Sequence, residues 1–122
     1  MKKRDGIGEK GEQAARQYLR EQGYQLIQHN WACPFGEIDI IARDGDTLVF
    51  VEVKVRTRSD YGGPEGALTV HKQRKIVAAS RMYLAGIDTD IPVRYDLVTI
   101  QRGKIKLMKN AFLLEDRCTP TL

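Results

Sequence analysis

The stretch Gly36-Glu37-Ile38-Asp39-Ile40-Ile41-Ala42-Arg43-Asp44-Gly45-Asp46-Thr47-Leu48-Val49-Phe50-Val51-Glu52-Val53-Lys54-Val55-Arg56 reads as two strands, 36–43 and 47–56. Asp44-Gly45-Asp46 lies between them, and Asp-Gly between apolar runs is a strong hairpin signal. Strand side chains alternate between faces. Val49, Val51, Val53 and Val55 therefore share a core face, and Phe50, Glu52, Lys54 and Arg56 share the other. In the first strand Ile38, Ile40 and Ala42 fall on one face, and Glu37, Asp39 and Ile41 on the other. A two-residue loop at Gly45-Asp46, or a four-residue loop over Asp44 to Thr47, sets Asp39 opposite Glu52. A loop at Asp44-Gly45 makes them diagonal neighbours. A three-residue loop pairs Asp39 with Val51, and the face pattern disfavours that slip.

Either favoured register brings two carboxylates together, and like charges directly opposite destabilise a sheet. A divalent cation would offset the repulsion; Mg²⁺ typically takes one or two protein carboxylates together with water and phosphate. The alternative is a solvated face with Lys54 and Arg56 as local counter-ions, since polar outer faces of antiparallel sheets are common. Phe50 and Ile41 weigh against it, because apolar residues on that face imply cover.

Outward from the hairpin, Gly8 to Gln22 reads as a helix with Ala15, Tyr18 and Leu19 as its apolar stripe and Gly23 as its stop. Tyr24 to His29 is a short strand. Arg58 to Gly66, with Gly62-Gly63-Pro64, is a loop. Thr69 caps a second helix running to about Ala85, with Ile76, Ala79 and Tyr83 inward and Gly86 at its end. Pro92 to Gln101 and Lys104 to Met108 are strands turned at Gly103. The order α-β-β-β-α-β-β predicts an α/β or α+β sandwich with a mixed sheet and helices against it. Strand order is not legible.

The chain has 122 residues with 42% apolar and 30% charged composition, enough for a single domain over 1–122 and too little for two. No apolar run approaches the roughly 20 residues that span a bilayer. The N-terminus has no apolar segment of the secretory kind. Cys33 and Cys118 have no metal-ligand spacing, and a reduced, cytoplasmic setting fits them best. A net charge of +4 permits a nucleic-acid partner without establishing one.

Glu9 lines up with Gln13, Arg16 and Arg20 on the solvent face of the first helix. Glu12 falls in line with Gly8, Ala15 and Leu19, the stripe meant for the core. Its competing explanation is a first-turn acid favoured by the helix dipole. Asp96 interrupts an apolar strand and reads first as a buried partner of an Arg or Lys. Tyr18, Met82 and Tyr83 read as core, and Trp31 as packing or a base-stacking platform. His29 and His71 form no zinc pattern.

Phosphodiester hydrolysis needs charge neutralised on the phosphate, a water deprotonated near neutral pH and a stabilised leaving oxygen. Carboxylate-held Mg²⁺ can serve all three. Asp39 and Glu52, with the Val53 carbonyl as a third ligand, form such a set. Lys54, about 7 Å from Glu52 on the same face, is placed to position the water and stabilise developing charge. Arg56, Arg58, Lys72, Arg74 and Lys75 surround the set as phosphate contacts or as an ordinary solvated face.

Asp39 followed by Glu52-Val53-Lys54 resembles the PD-(D/E)xK nuclease superfamily. With Glu12 on a preceding helix the pattern is similar to the archaeal Holliday junction resolvases. Gly11-Glu12 with Ala15 and Leu19, Gly36-Glu37-Ile38-Asp39, Phe50 to Arg56, Tyr61-Gly62-Gly63, Lys72 and Arg94-Tyr95-Asp96 resemble the YraN-like family of bacterial proteins, from about Gly8 to Glu115. Ile38 stands where the superfamily often has Pro. The resemblance implies a restriction-endonuclease-like core. It implies catalytic roles for Glu12, Asp39, Glu52 and Lys54, Mg²⁺ or Mn²⁺ as cofactor, and phosphate contacts from Arg56, Arg58, Lys72 and Lys75. The expected function is a metal-dependent DNA endonuclease acting on branched or damaged DNA. The alternative is a non-catalytic nucleic-acid-binding module of DNA repair or recombination. Resolving a junction symmetrically would call for a homodimer, for which no signature is legible.

Overall fold

A computed structural model describes residues 8–56, 68–87 and 90–112. Its elements are α1 (Gly8–Glu21), β1 (Gln25–Cys33), β2 (Gly36–Asp44), β3 (Thr47–Arg56), α2 (Val70–Ala85), β4 (Val93–Gln101) and β5 (Lys104–Phe112). This is the expected α-β-β-β-α-β-β order. The five strands form one mixed sheet in the order β1-β2-β3-β4-β5. Neighbours are antiparallel except β3 and β4, which run parallel. A parallel pair needs a long crossover, and α2 lies within that connection.

The hairpin closes at Asp44↔Thr47, so Gly45-Asp46 is its two-residue loop. Gly45 alone of the two has a positive φ, 65°, the pattern of a II′ turn with glycine at its first central position. This is the first of the expected registers.

The two sheet faces carry separate cores. Ala15 and Leu19 of α1 pack with Tyr24, Ile40, Ala42, Val49, Val51, Val53 and Val98. Ile76, Val77 and Ala79 of α2 pack with Ile38, Ile41, Phe50, Tyr95, Leu97 and Phe112. Phe50 and Ile41 are thus covered, as their character implied. An aromatic chain runs under α2: Trp31 meets Tyr83 edge-on at 5.3 Å, Tyr83 meets Phe50 at 5.8 Å, and Phe50 and Tyr95 stack at 5.8 Å. Trp31 is therefore packed against α2, the first of its two readings.

Several expectations need correction. β1 runs on to Cys33 and β5 to Phe112. Polar residues and positive φ at Asn30 and Asn110 disguise both extensions, while pairing with β2 and β4 carries the strands through. Met82 is exposed. Ile38 and Ile40, assigned to one face by alternation, join opposite cores. Arg16, assigned to solvent, is buried at 8% exposure. The covered side of α1 takes in Glu12, Ala15, Arg16 and Leu19, a wider band than the apolar stripe alone.

Asp96 is fully buried and partnered as the sequence suggested. Arg94 Nε donates to its Oδ1 at 2.9 Å, and the Tyr24 hydroxyl donates to its Oδ2 at 2.6 Å. Arg94 Nη2 also donates to Asp44 at 2.8 Å. The Asn110 N–H donates to Asp96 Oδ1 at 3.1 Å. One guanidinium thus ties the end of β2 to β4, and Asp96 ties β4 to β5. The hydrogen bond from Arg94 holds the Asp44 carboxyl below its ordinary range, with Lys109 assisting. Burial, with the hydrogen bond to Asp96, pushes the Tyr24 phenol far up.

Replacing Arg94 by Ala leaves a buried carboxylate without its cation and should cost about 3 kcal/mol or more, read by urea unfolding at neutral pH. The Asp44 contribution is present above the ordinary carboxylate range and is lost as pH falls through its depressed pKa. The gap between wild type and Arg94→Ala should therefore narrow in acid. A constant gap down to strongly acidic pH would contradict the clamp.

Candidate active site

The β2–β3 ladder runs from Asp44↔Thr47 to Ile40↔Val51 and goes no further. The next pair in that register would be Asp39 and Glu52. Instead, the Val53 N–H donates to Asp39 Oδ2 at 2.8 Å. Along a strand, alternate residues turn their N–H and C=O to the same neighbour. Val53 faces β2, and so do Val51, Val49 and Thr47. Continuing the register would give Val53 the main chain of Ile38. Ile38 pairs with Trp31 of β1 and packs under α2, and the Asp39 carboxylate takes its place as acceptor. The Val53 carbonyl points to the same edge of β3, where the ladder has stopped.

β3 itself does not bend away. Its parallel register with β4 is unbroken from Leu48↔Val93 to Arg56↔Gln101. Glu52, Val53 and Lys54 thus stand on a strand held along its other edge. Glu52 follows Phe50 on the α2 side, and Lys54 follows Glu52. Asp39 and Glu52 are 2% and 4% exposed, and Lys54 is half-buried.

Two buried carboxylates at the end of a ladder need compensation. Part of it comes from the protein. Lys72 Nζ lies 3.3 Å from Glu52 Oε2, and the Val53 amide serves Asp39. Thr69 sets the first turn of α2, its side chain accepting from the Lys72 N–H at 3.1 Å. Lys72, expected as a phosphate contact, is therefore the cation of Glu52. The sequence flagged Lys72 but carried no sign of this partner, because the pairing joins elements brought together by the crossover.

Glu12 is 3% exposed and lies on α1, which packs against β1, β3 and β4. Its core-facing placement is as expected. Arg56 is half-buried at the end of β3, and Lys75 is exposed on α2, lying against Gly36 at the start of β2. Arg58 and the Tyr61-Gly62-Gly63-Pro64 segment lie outside the described residues.

Among the described residues no three His, Cys, Asp or Glu side chains converge as a metal-binding group. The oxygen atoms that β2 and β3 could offer an ion are two carboxylates, of Asp39 and Glu52, and the main-chain carbonyl of Val53. Those are hard oxygen ligands, in the small number that Mg²⁺ takes from protein. The fold and site together define a mixed α/β domain with an acid pair at a broken β-ladder and an amine on the same strand. The chain belongs to the family described as uncharacterised protein family UPF0102, whose model matches residues 11–100. A UPF0102 protein of Lachnoclostridium phytofermentans is 45% identical over 113 residues, covering 91% of this chain and 94% of that protein. One from Syntrophus aciditrophicus is 46% identical, covering 88% of each. One from Nitrosomonas europaea is 42% identical, covering 86% of this chain and 92% of its own.

The role of Asp39 as a main-chain acceptor separates two substitutions. Asp39→Asn keeps an oxygen for the Val53 N–H and should unfold close to wild type. Asp39→Ala orphans a buried amide and should lose about 1–3 kcal/mol in chemical denaturation. Equal stabilities for the two variants would contradict the hydrogen bond.

Proposed function

We propose that the chain is a metal-dependent deoxyribonuclease of the PD-(D/E)xK type, hydrolysing phosphodiesters in branched or damaged DNA during repair or recombination. The observation that carries this reading is the Asp39 carboxylate bonded to the Val53 peptide. It brings the acid of β2 to the Glu52-Val53-Lys54 segment of β3, at the point where the ladder opens.

Asp39, Glu52 and the Val53 carbonyl are the groups that would hold Mg²⁺ or Mn²⁺. A bound ion supplies charge neutralisation at the phosphate and a water acidic enough to ionise near neutral pH. Lys54 orients the attacking water and steadies the charge that develops on the phosphate oxygens. Lys72 holds the Glu52 carboxylate in place from α2. Glu12 supports the site from α1. Arg56 and Lys75 are the basic residues at hand for the phosphate backbone.

The Glu52–Lys72 pair also favours a second reading. A carboxylate with its own internal cation needs no metal, as in a nucleic-acid-binding module that does not cut.

The two are separated by incubating four-way junction, nicked and duplex DNA with Mg²⁺ or Mn²⁺. The nuclease reading expects cleavage by wild type. It expects a loss of at least a hundredfold in Asp39→Asn and Lys54→Ala, on the scale of removing a catalytic group, with thermal unfolding little changed. Cleavage undiminished in both variants would overturn the site assignment. DNA binding indifferent to Mg²⁺, with no cleavage of any substrate, would select the binding module.

A further inference from the structure

Beyond the acid pair, the α2 side of the sheet changes character along β3, β4 and β5. Toward the start of β4 it is apolar, with Phe50, Tyr95, Leu97 and Phe112 under α2. The register then places Lys54 beside Thr99 and Thr99 beside Lys106. One step on, Arg56 lies beside Gln101 and Gln101 beside Lys104. Arg102 follows in the β4–β5 turn. On the opposite face at the same level stand Val53, Val98, Ile100, Ile105 and Leu107, packed in the α1 core. Alternation thus sends every apolar residue here to one side and the cations to the other.

α2 packs over β2 and β1, away from this end of β4 and β5. Thr99, Gln101, Arg102, Lys104 and Lys106 line an open hollow of about 350 Å³. Among the described residues on this face of the three strands, the only carboxylate is Glu52, which already faces Lys72. The cations of β3 and β5 stand about 10 Å apart across the sheet, two strand spacings, and about 7 Å apart along each strand. Hydroxyl and amide groups lie between them. That combination matches a phosphodiester backbone, which is held by Lys and Arg together with Thr and Gln.

We infer that this hollow is a nucleic-acid backbone track, in which Lys104 and Lys106 of β5 with Thr99 and Gln101 of β4 hold phosphates of the strand that passes Lys54. The track rests on the nuclease or nucleic-acid-binding reading above and uses residues that reading did not. It also gives β5 a role beyond that of an edge strand, where lysines serve to discourage pairing with other chains.

The test is fluorescence anisotropy of a labelled 30-base-pair duplex and a four-way junction, without divalent cations, over a range of salt. Lys104→Gln/Lys106→Gln should raise Kd about tenfold or more and make the salt dependence shallower by about 2, near one unit for each phosphate no longer neutralised. Lys10→Gln/Arg20→Gln removes the same charge from the exposed face of α1 and should bind as wild type does. Circular dichroism melting should be unchanged in both. If the β5 variant binds like wild type, or both double variants weaken equally, the track is overturned and the lysines serve only the edge or the bulk charge. Wild type that binds neither DNA overturns it as well. The catalytic reading fails separately: a β5 variant that loses binding, in a protein that cuts nothing with Mg²⁺ or Mn²⁺, leaves the track standing and removes the nuclease.

Discussion

The hydrogen bond from the Val53 N–H to the Asp39 carboxylate is the constraint on which the rest of the site depends. An antiparallel ladder satisfies main-chain donors with main-chain acceptors. Here a side chain substitutes for the peptide of Ile38, and β2 is released from β3 one pair beyond Ile40↔Val51. The same substitution ends the ladder before the Asp39–Glu52 pair would form. It lets Ile38 move to the α2 core while Ile40 remains in the α1 core. An acidic side chain bound to the next strand and a change of face go with this one bond.

A break of this kind is tolerable only in a sheet that is secured elsewhere. β3 is held along its other edge by the full parallel register with β4. The hairpin end is held by Arg94, which bridges Asp44 and Asp96. The α2 core crosses the strands through Tyr83, Phe50 and Tyr95. Stiff surroundings concentrate the irregularity at one point, where the Asp39 carboxylate accepts from the Val53 N–H. Buried Asp39, Glu52 and Glu12 are costly residues for a small core; Asp39 and Glu52 stand where this one interruption occurs, and Glu12 is buried on α1.

Local signals in the chain make much of this legible. Asp44-Gly45-Asp46 between valine- and isoleucine-rich runs locates the hairpin, and the loop Gly45-Asp46 is among the registers it allows. Thr69 announces the cap of α2. Glu12 and Asp96 stand out as polar residues in apolar patterns, and both are buried. What depends on tertiary placement is not legible. Strict alternation cannot show that Ile38 leaves the face of Ile40, because the bond that releases it joins residues of different strands. Lys72 looks like one more cation on a basic helix until the crossover sets it against Glu52. Arg16 looks solvent-facing because helix periodicity does not report how wide a band of α1 the sheet covers. The extensions of β1 and β5 are hidden by Asn30 and Asn110, whose positive φ their neighbours' pairing overrides.

UPF0102 membership spans most of the chain, and Asp39 and Glu52 at the broken ladder are the acid pair on which the proposed chemistry rests. The central claim is that this pair and the Val53 carbonyl are a metal site rather than an internally neutralised structural motif. Calorimetric titration of DNA-free protein with Mn²⁺ and Mg²⁺, comparing wild type with Asp39→Asn, tests it most directly. A metal site predicts saturable binding in wild type that disappears in Asp39→Asn while the variant stays folded. Identical titrations for the two proteins, whether both bind or neither does, would contradict it.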